Sequence, residues 1–244
     1  MLSRSAPISA AAMEGTYMPH ESARTILVTG ASRGIGAEVA RRLARADTHV
    51  IVNYREQSGR AESVASAIRA AGGSASTLAA DISDQAATAS MIETVAARFG
   101  RLDALILNAS GGLERGADPG SAIRSNGDAK RRLARLATPL MPVGGRLVFV
   151  TSHQAHFFPH KAVPKGYSTA AASKRAGETA LYGMRSTFDH AGLHMTVVSG
   201  DMAGGTIFEL TTASQFAAAI VDAVDAQRPT GIVYVGGSGY LMTA

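Results

Sequence analysis

Residues 25–36, TILVTGASRGIG, constrain the fold of this chain more strongly than any other part of the sequence. A short apolar run typical of a buried strand leads directly into a glycine-rich turn, and a helix-forming segment follows. Gly30 permits the tight turn, Gly34 lets the backbone approach a ligand, and Gly36 allows the helix to pack closely on the strand. Because the unpaired N–H groups and the positive dipole end of such a helix attract a pyrophosphate, the stretch predicts the start of a dinucleotide-binding sheet.

Strand and helix patterns alternate along the rest of the chain. Strands are predicted at residues 25–29, 49–54, 76–80, 102–108, 145–151, 193–199 and 231–236. Helices are predicted at residues 38–45, 59–71, 85–99, 123–140, 168–190 and 213–226, the fifth being interrupted by Gly177 and Gly183. Because short connections join these elements, we expect an α/β fold, a Rossmann-like, doubly wound, seven-stranded parallel sheet with helices on both faces.

Composition limits the domain organisation and the kinds of partner. Residues 1–22 are rich in alanine and serine and lack hydrophobic periodicity, which predicts a disordered leader, and no linker divides the single domain expected at residues 23–244. The absence of cysteine excludes disulfides and thiolate chemistry, and we expect no metal site. The net charge of +5 is modest, and the sequence contains neither a nucleic-acid-binding motif nor an apolar run of membrane-spanning length. These features are typical of a cytoplasmic protein that acts without nucleic-acid or membrane partners.

Six further features stand in an order that characterises one family. They are TGASRGIG at residues 29–36, Asp81 and Ile82 in AADIS, NASG at residues 108–111, Asn126, Ser152 at the end of GRLVFVTS, and the pair Ser173 and Lys174. With these features, residues 24–240 resemble the short-chain dehydrogenase/reductase family. The resemblance implies that hydride passes between a nicotinamide cofactor and a carbonyl group at the carboxyl edge of the sheet.

The resemblance also assigns roles to individual residues. Ser152 and a tyrosine would bind the carbonyl oxygen, Lys174 would hold the ribose and lower the pKa of the tyrosine, and Asn126 would hold a water in the proton relay. The implied cofactor-binding residues are Gly30, Ser32, Arg33, Gly34, Ile35, Gly36, Asn53, Tyr54, Arg55, Asp81, Ile82, Asn108, Ala109, Ser110, Lys174 and Thr206. The expected substrate contacts are His153, His156, Gly111 and Met202.

The end of the second predicted strand bears on the choice of cofactor. An NAD enzyme of this fold usually carries an acidic residue there, which binds the ribose 2′-hydroxyl. Here the strand ends in Asn53, Tyr54 and Arg55, and Arg33 lies in the glycine turn. Two guanidinium groups suit a 2′-phosphate, which favours NADPH, although both arginines could also be ordinary solvated surface residues.

The active-site tyrosine departs from the family pattern. The family places it four residues before the lysine, but here that position is Ala170, and Tyr167 lies seven residues before Lys174. Seven residues of helix rise by about 10.5 Å, too far for direct coupling along a straight helix. However, Pro164 and Gly166 indicate that Tyr167 lies in a loop or a first helical turn, from which it could still reach the substrate.

Three proton donors therefore remain open. Tyr167 is the first, and His153 or His156 is the second, because both follow Ser152 on a segment expected to face the substrate and imidazole titrates near neutral pH. The third is the substrate itself, if a hydroxyl group stands beside its ketone.

The sequence predicts an NADPH-dependent ketoreductase of a small, aromatic polyketide-type ketone, similar to reductases of actinomycete antibiotic biosynthesis. The alternative is a catalytically silent NADP(H)-binding protein with a sensing or regulatory role. Retention of Ser152, Lys174 and Asn126 favours the enzyme. We expect a homodimer or a tetramer, and we interpret the basic residues 123–136, IRSNGDAKRRLARL, as a solvated face or a subunit interface.

Overall fold

The structure is a computed structural model that describes residues 24–109, 119–201 and 213–242. Within these residues all strands belong to one parallel sheet with the order β3-β2-β1-β4-β5-β6-β7. The strands are β1 (Arg24–Val28), β2 (Thr48–Tyr54), β3 (Ser74–Ala79), β4 (Ala104–Leu107), β5 (Arg146–Ser152), β6 (His194–Gly200) and β7 (Ile232–Val235). The predicted seven-stranded, doubly wound sheet is confirmed. The strand order reverses at β1, which pairs with both β2 and β4, so the ligand crevice of such a sheet opens beside the end of β1.

The helices cover both faces of this sheet. They are α1 (Gly34–Leu43), α2 (Ser58–Ala70), α3 (Gln85–Phe99), α4 (Pro119–Ala137), α5 (His153–His156), α6 (Ser168–Tyr182), α7 (Arg185–His190), α8 (Ala213–Asp225) and α9 (Ser238–Met242). A 3₁₀ turn, Thr138–Leu140, follows α4. None of the helices in these described ranges is both long and apolar enough to cross a membrane.

Two apolar layers hold the sheet between its helices. Val28 and Ile106 pack with α1, α2 and α8 on one face, whereas Leu27, Leu105 and Leu107 pack with α3, α4 and α6 on the other. Both faces of the central strands are therefore buried, which explains their nearly continuous apolar sequences.

The helix boundaries differ from the predicted ones, and α4 covers residues 119–137 rather than the predicted 123–140. The first helix begins at Gly34 rather than at residue 38, since the glycine turn runs directly into it. The interruption predicted at Gly183 is confirmed, because the N–H groups of Gly183 and Met184 close the end of α6 on the carbonyls of Thr179 and Leu181. The interruption predicted at Gly177 is wrong, since that residue lies inside α6. The single-turn helices α5 and α9 were not predicted. The predicted leader, residues 1–22, lies outside the described residues.

Candidate active site

Two asparagine side chains fix the shape of the glycine turn. Asn53 Oδ1 accepts a hydrogen bond from Gly30 N at 3.3 Å, and its amide nitrogen donates to the carbonyls of Leu78 and Ala80. Asn108 Nδ2 donates to the carbonyl oxygens of Thr29 (3.0 Å) and Gly30 (3.2 Å). The side chains predicted to contact a cofactor at residues 53 and 108 are thus engaged with the protein, and they shape the turn that a cofactor would meet.

Gly36 and Gly34 differ in how much space surrounds the position of a Cβ atom. A Cβ on Gly36 would lie 2.5 Å from Asn108 Nδ2 and 2.6 Å from the carbonyl oxygen of Gly30, so only glycine fits there. Gly34 has a positive φ of 57° and no protein atom within 4 Å of where its Cβ would lie. Arg33 precedes α1 without capping it through its side chain. The first N–H groups of α1 therefore border open space, which suits a pyrophosphate.

The arginines predicted to select the cofactor differ in their surroundings. Arg33 is exposed, whereas Arg55 forms an ion pair with Glu56 (2.9 Å) and lies 3.9 Å from Asp81. Asp81 Oδ1 also accepts hydrogen bonds from the N–H (2.8 Å) and the hydroxyl (2.7 Å) of Ser83. Arg33 is thus available to an incoming anion, and Arg55 would have to share its charge with two carboxylates.

The remaining predicted cofactor contacts of this region lie around the turn. Ser32, Ile35 and Tyr54 are partly buried, and Ile35 and Tyr54 pack against the core. Ile82 is buried.

The Ser152 and Tyr167 side chains meet at the end of β5. Ser152 is buried, and its Oγ accepts a hydrogen bond from Ala155 N at 3.3 Å and lies 3.5 Å from the Tyr167 hydroxyl. Tyr167 directly precedes α6, and its carbonyl oxygen accepts the hydrogen bond of Ala171 N. Burial raises the pKa of the Tyr167 phenol, while the Ser152 hydroxyl opposes that shift. The phenol therefore carries its proton at neutral pH.

A second polar group lies between α4 and α6. Asn126 Nδ2 donates to Ser173 Oγ at 2.7 Å, and Lys130 Nζ donates to the carbonyl oxygen of Ala109. Together with Lys174, these side chains line a cavity of about 10 Å³, the size that holds a single water molecule. The predicted residues Asn126 and Lys174 are thus brought together, next to the carboxyl end of β4.

Both lysines of this cavity carry perturbed pKa values. Burial lowers the pKa of Lys174. Burial and the positive charge of Lys174 lower the pKa of Lys130 to about 7. A buried amine loses hydration in its charged form, and a second ammonium nearby adds repulsion.

Two predicted substrate contacts, His153 and His156, have ring nitrogens that contact other protein groups. His153 is fully buried in α5: its Nε2 donates to the Gly236 carbonyl oxygen at 3.1 Å, and its Nδ1 lies 2.9 Å from Ser199 Oγ. A carbonyl can only accept, so Nδ1 accepts from the serine. Burial lowers the pKa of His153, which is therefore neutral at pH 7, and the ring joins β6 to the end of β7.

His156 is also engaged on both sides of its ring. Its Nδ1 lies 2.7 Å from Oε1 of the fully buried Glu178, and its Nε2 lies 3.2 Å from the Tyr234 hydroxyl. Arg175 binds the same Glu178 oxygen at 2.9 Å. The ring of His156 thus bridges α5, α6 and β7, and its role as a substrate contact stays a prediction.

Sequence reasoning missed Lys130 and misplaced part of the basic helix. The run KRR at residues 130–132 belongs to the segment predicted to be a solvated face or a subunit interface, yet Lys130 is 3% exposed and the Arg132 guanidinium donates to the carbonyls of Ile82 and Ser83. The available signal was the spacing of four residues from Asn126, which places Lys130 on the same helix face. Four predicted site residues, Ser110, Gly111, Met202 and Thr206, lie outside the described residues.

The sheet order, the glycine turn and the Ser152 environment together define a class of nucleotide-binding α/β protein. The family profile for short chain dehydrogenase matches residues 24–202. The chain belongs to the short chain dehydrogenase family.

The curated relatives include named reductases. The chain is 34% identical over 171 residues to hydroxynaphthalene reductase arp2 of Aspergillus fumigatus, a match that covers 67% of this chain and 60% of that protein. The matches to the first three curated relatives span between 34% and 63% of the length of those proteins.

Solved structures show the same fold. The landomycin C-6 ketoreductase LanV, solved with NADP and rabelomycin, is 27% identical with a TM-score of 0.71, and the match covers 87% of this chain and 93% of LanV. A short chain dehydrogenase of Burkholderia cenocepacia, solved with NADP, is 27% identical with a TM-score of 0.74, and the match covers 88% and 96% of the two chains.

Proposed function

We propose that this protein is an NADPH-dependent ketoreductase that reduces a carbonyl group of a small, polyketide-type aromatic ketone. The observation that carries the proposal is the 3.5 Å approach of the Tyr167 hydroxyl to Ser152 Oγ at the carboxyl end of β5. This approach places a serine and a tyrosine hydroxyl side by side, as the family resemblance requires, although Tyr167 is further from Lys174 along the chain than the family pattern has it. The similarity to a hydroxynaphthalene reductase and to the landomycin C-6 ketoreductase LanV supports the substrate class.

The cofactor is NADPH, which supplies hydride when bound. The uncapped start of α1 and the open space at Gly34 would receive the pyrophosphate. Arg33 would bind the 2′-phosphate, and no acidic residue ends β2 to favour a ribose 2′-hydroxyl instead. The two NADP-bound structures of similar proteins support this choice.

Ser152 and Tyr167 bind the carbonyl oxygen of the substrate. As the carbon accepts hydride, charge develops on that oxygen, and two hydroxyl groups that point at it stabilise the charge. The raised pKa of Tyr167 keeps the phenol protonated until the alkoxide forms, and its proton then passes to that oxygen. Lys174 would hold the ribose of the cofactor, and the Asn126–Ser173 hydrogen bond fixes the face of α6 that carries Lys174.

The experiment that tests the function is loss of NADPH absorbance with purified protein and matched pairs of aromatic ketones. In each pair one ketone carries a hydroxyl group beside the carbonyl and the other carries a methoxy group there. We expect turnover of both members, because Tyr167 supplies the proton. Turnover of the hydroxyl member alone would assign the proton to the substrate, and NADPH binding without any turnover would replace the proposal by the silent binding protein.

Arg33→Ala is expected to weaken NADPH binding by about 10- to 100-fold and to leave NADH binding unchanged, since a hydrogen bond to a charged group contributes about 1.5–3 kcal/mol. Fluorescence titration of both cofactors measures the effect. Arg41→Ala, an exposed arginine on α1 paired only loosely with Glu38 at 3.8 Å, is the matched control. An equal loss for NADPH and NADH would contradict a contact with the 2′-phosphate.

A further inference from the structure

Lys130 belongs to α4, and its side chain is buried against α6 and the end of β4. Its side chain is 3% exposed, and its ammonium donates to the carbonyl oxygen of Ala109. Gly177 on α6 makes room for it, because a Cβ there would lie 3.2 Å from Lys130 Cγ. A lysine is almost never buried to this degree without an ionic partner, so this one is expected to serve a purpose other than stability.

Few charged groups lie around Lys130 among the residues that the structure describes. On α6 the group that acts on it is Lys174, and the carboxylate of Glu178 on the same helix is bound by Arg175 and His156. The strand β4 has no titratable residue, β5 contributes only Phe149 and Val150 to the shared cavity, and Glu93 of α3 is exposed. Among the described residues, no carboxylate forms an ion pair with either lysine.

The contact with Ala109 connects Lys130 to the glycine turn. Ala109 follows Asn108 at the end of β4, and its N–H binds Thr29 Oγ1 at 3.0 Å. A Cβ on Gly30 would lie 3.0 Å from the Cα of Ala109, so the two backbones are in close contact. A shift of Ala109 would therefore displace the turn at which the cofactor is expected to bind.

We propose that Lys130 is a positioning residue of this reductase, a second buried amine that holds Ala109 against the glycine turn and acts on Lys174 through its charge. The inference rests on the proposed function for its effect on turnover, but the interaction of the two amines does not depend on it. Two ammonium groups that line one small cavity repel each other. When Lys130 loses its proton, this repulsion ends, and Lys174 remains charged at the position expected for the ribose.

The interaction can be measured without any substrate. The chain is labelled with ¹³C at lysine Cε, and the Cε shifts, which report ionisation of the amine, are followed from pH 5 to 11 in wild type, Lys130→Met and Lys174→Met. We expect one lysine of the wild type to titrate near pH 7, in line with the lowered pKa of Lys130. That titration is absent in Lys130→Met and moves to higher pH in Lys174→Met. If every lysine titrates in its ordinary range near pH 10, the proposal is wrong.

The effect on turnover separates charge from simple packing. Lys130→Gln keeps a donor for the Ala109 carbonyl but cannot be charged, and Lys130→Met loses both properties. The wild type is expected to show a step in kcat near pH 7 that both variants lose, whereas only Lys130→Met shows weaker NADPH binding. A pH profile of Lys130→Gln that superimposes on the wild-type profile would overturn the charge role. Absence of turnover in all three proteins, with the lysine titration intact, would overturn the proposed function and leave the amine pair standing.

Burial of Lys130 also links stability to pH. Its pKa is about 7 in the folded chain and about 10.4 when unfolded, so the unfolded chain binds more protons between these values and folding stability rises with pH across that window. Lys130→Met should be more stable than wild type at pH 7, with a flatter rise of Tm from pH 7 to 10. Lys165→Met, at an exposed lysine, should match the wild-type slope, and equal slopes for all three would contradict the burial of a charged amine.

Discussion

Tyr167→Phe is expected to lower kcat by about 10²- to 10⁴-fold and to leave NADPH binding unchanged, because the substitution removes the proposed proton donor but keeps the ring. The expectation follows from the 3.5 Å approach of the phenol to Ser152 Oγ and from the burial that keeps the phenol protonated. Steady-state kinetics with NADPH and an aromatic ketone, together with a cofactor titration, measure the two effects separately.

Tyr182→Phe is the matched control. Tyr182 ends the same helix that Tyr167 precedes. Burial, and to a smaller extent the negative charge of Glu178, raise the pKa of Tyr182 to about 12. Tyr182→Phe removes the hydroxyl of another partly buried tyrosine. Because Tyr182 lies fifteen residues further along the chain, at the other end of α6, we expect near wild-type kcat. Near-normal kcat for Tyr167→Phe itself would remove this residue from the mechanism. The proton would then come from the substrate, since His153 and His156 are held by other parts of the fold.

Gly36→Ala is expected to abolish measurable NADPH binding and to lower Tm. The new methyl group would lie 2.5 Å from Asn108 Nδ2 and 2.6 Å from the carbonyl oxygen of Gly30, and neither atom can retreat without breaking the hydrogen bond between them. Relief of this overlap would have to open the turn, and overpacking of a well-packed site costs about 1–3 kcal/mol. Thermal unfolding and a cofactor titration measure both losses.

Gly59→Ala tests whether the loss is specific to the turn. Gly59 lies in the first turn of α2, has no protein atom within 4 Å of where its Cβ would lie, and does not have a positive φ. The same substitution there should leave NADPH affinity unchanged and Tm equal or slightly higher, since alanine favours a helix more than glycine does. Wild-type NADPH affinity in Gly36→Ala would show that the glycine turn is not the cofactor site.

The architecture was predictable from local patterns in the sequence. Alternating apolar strands and amphipathic helices with short connections leave few topologies open, and the strand, glycine turn and helix at residues 25–36 place the crevice at the end of β1. The boundaries were less accurate: α1 begins at Gly34 rather than at residue 38, and α6 continues through Gly177, where an interruption was predicted, and ends at the second predicted interruption, Gly183.

The sequence by itself determined the fold, the glycine turn and the candidates Ser152, Asn126 and Lys174, because these depend on periodicity and on motifs of fixed spacing. Only the tertiary structure decided which side chains meet. It brings the hydroxyl of Tyr167, which precedes α6, close to Ser152. It holds the imidazole rings of His153 and His156 through contacts with other elements. It also buries Lys130 near Lys174. These contacts join residues of different elements, and the distance between two such residues depends on how the elements pack and not on their separation along the chain.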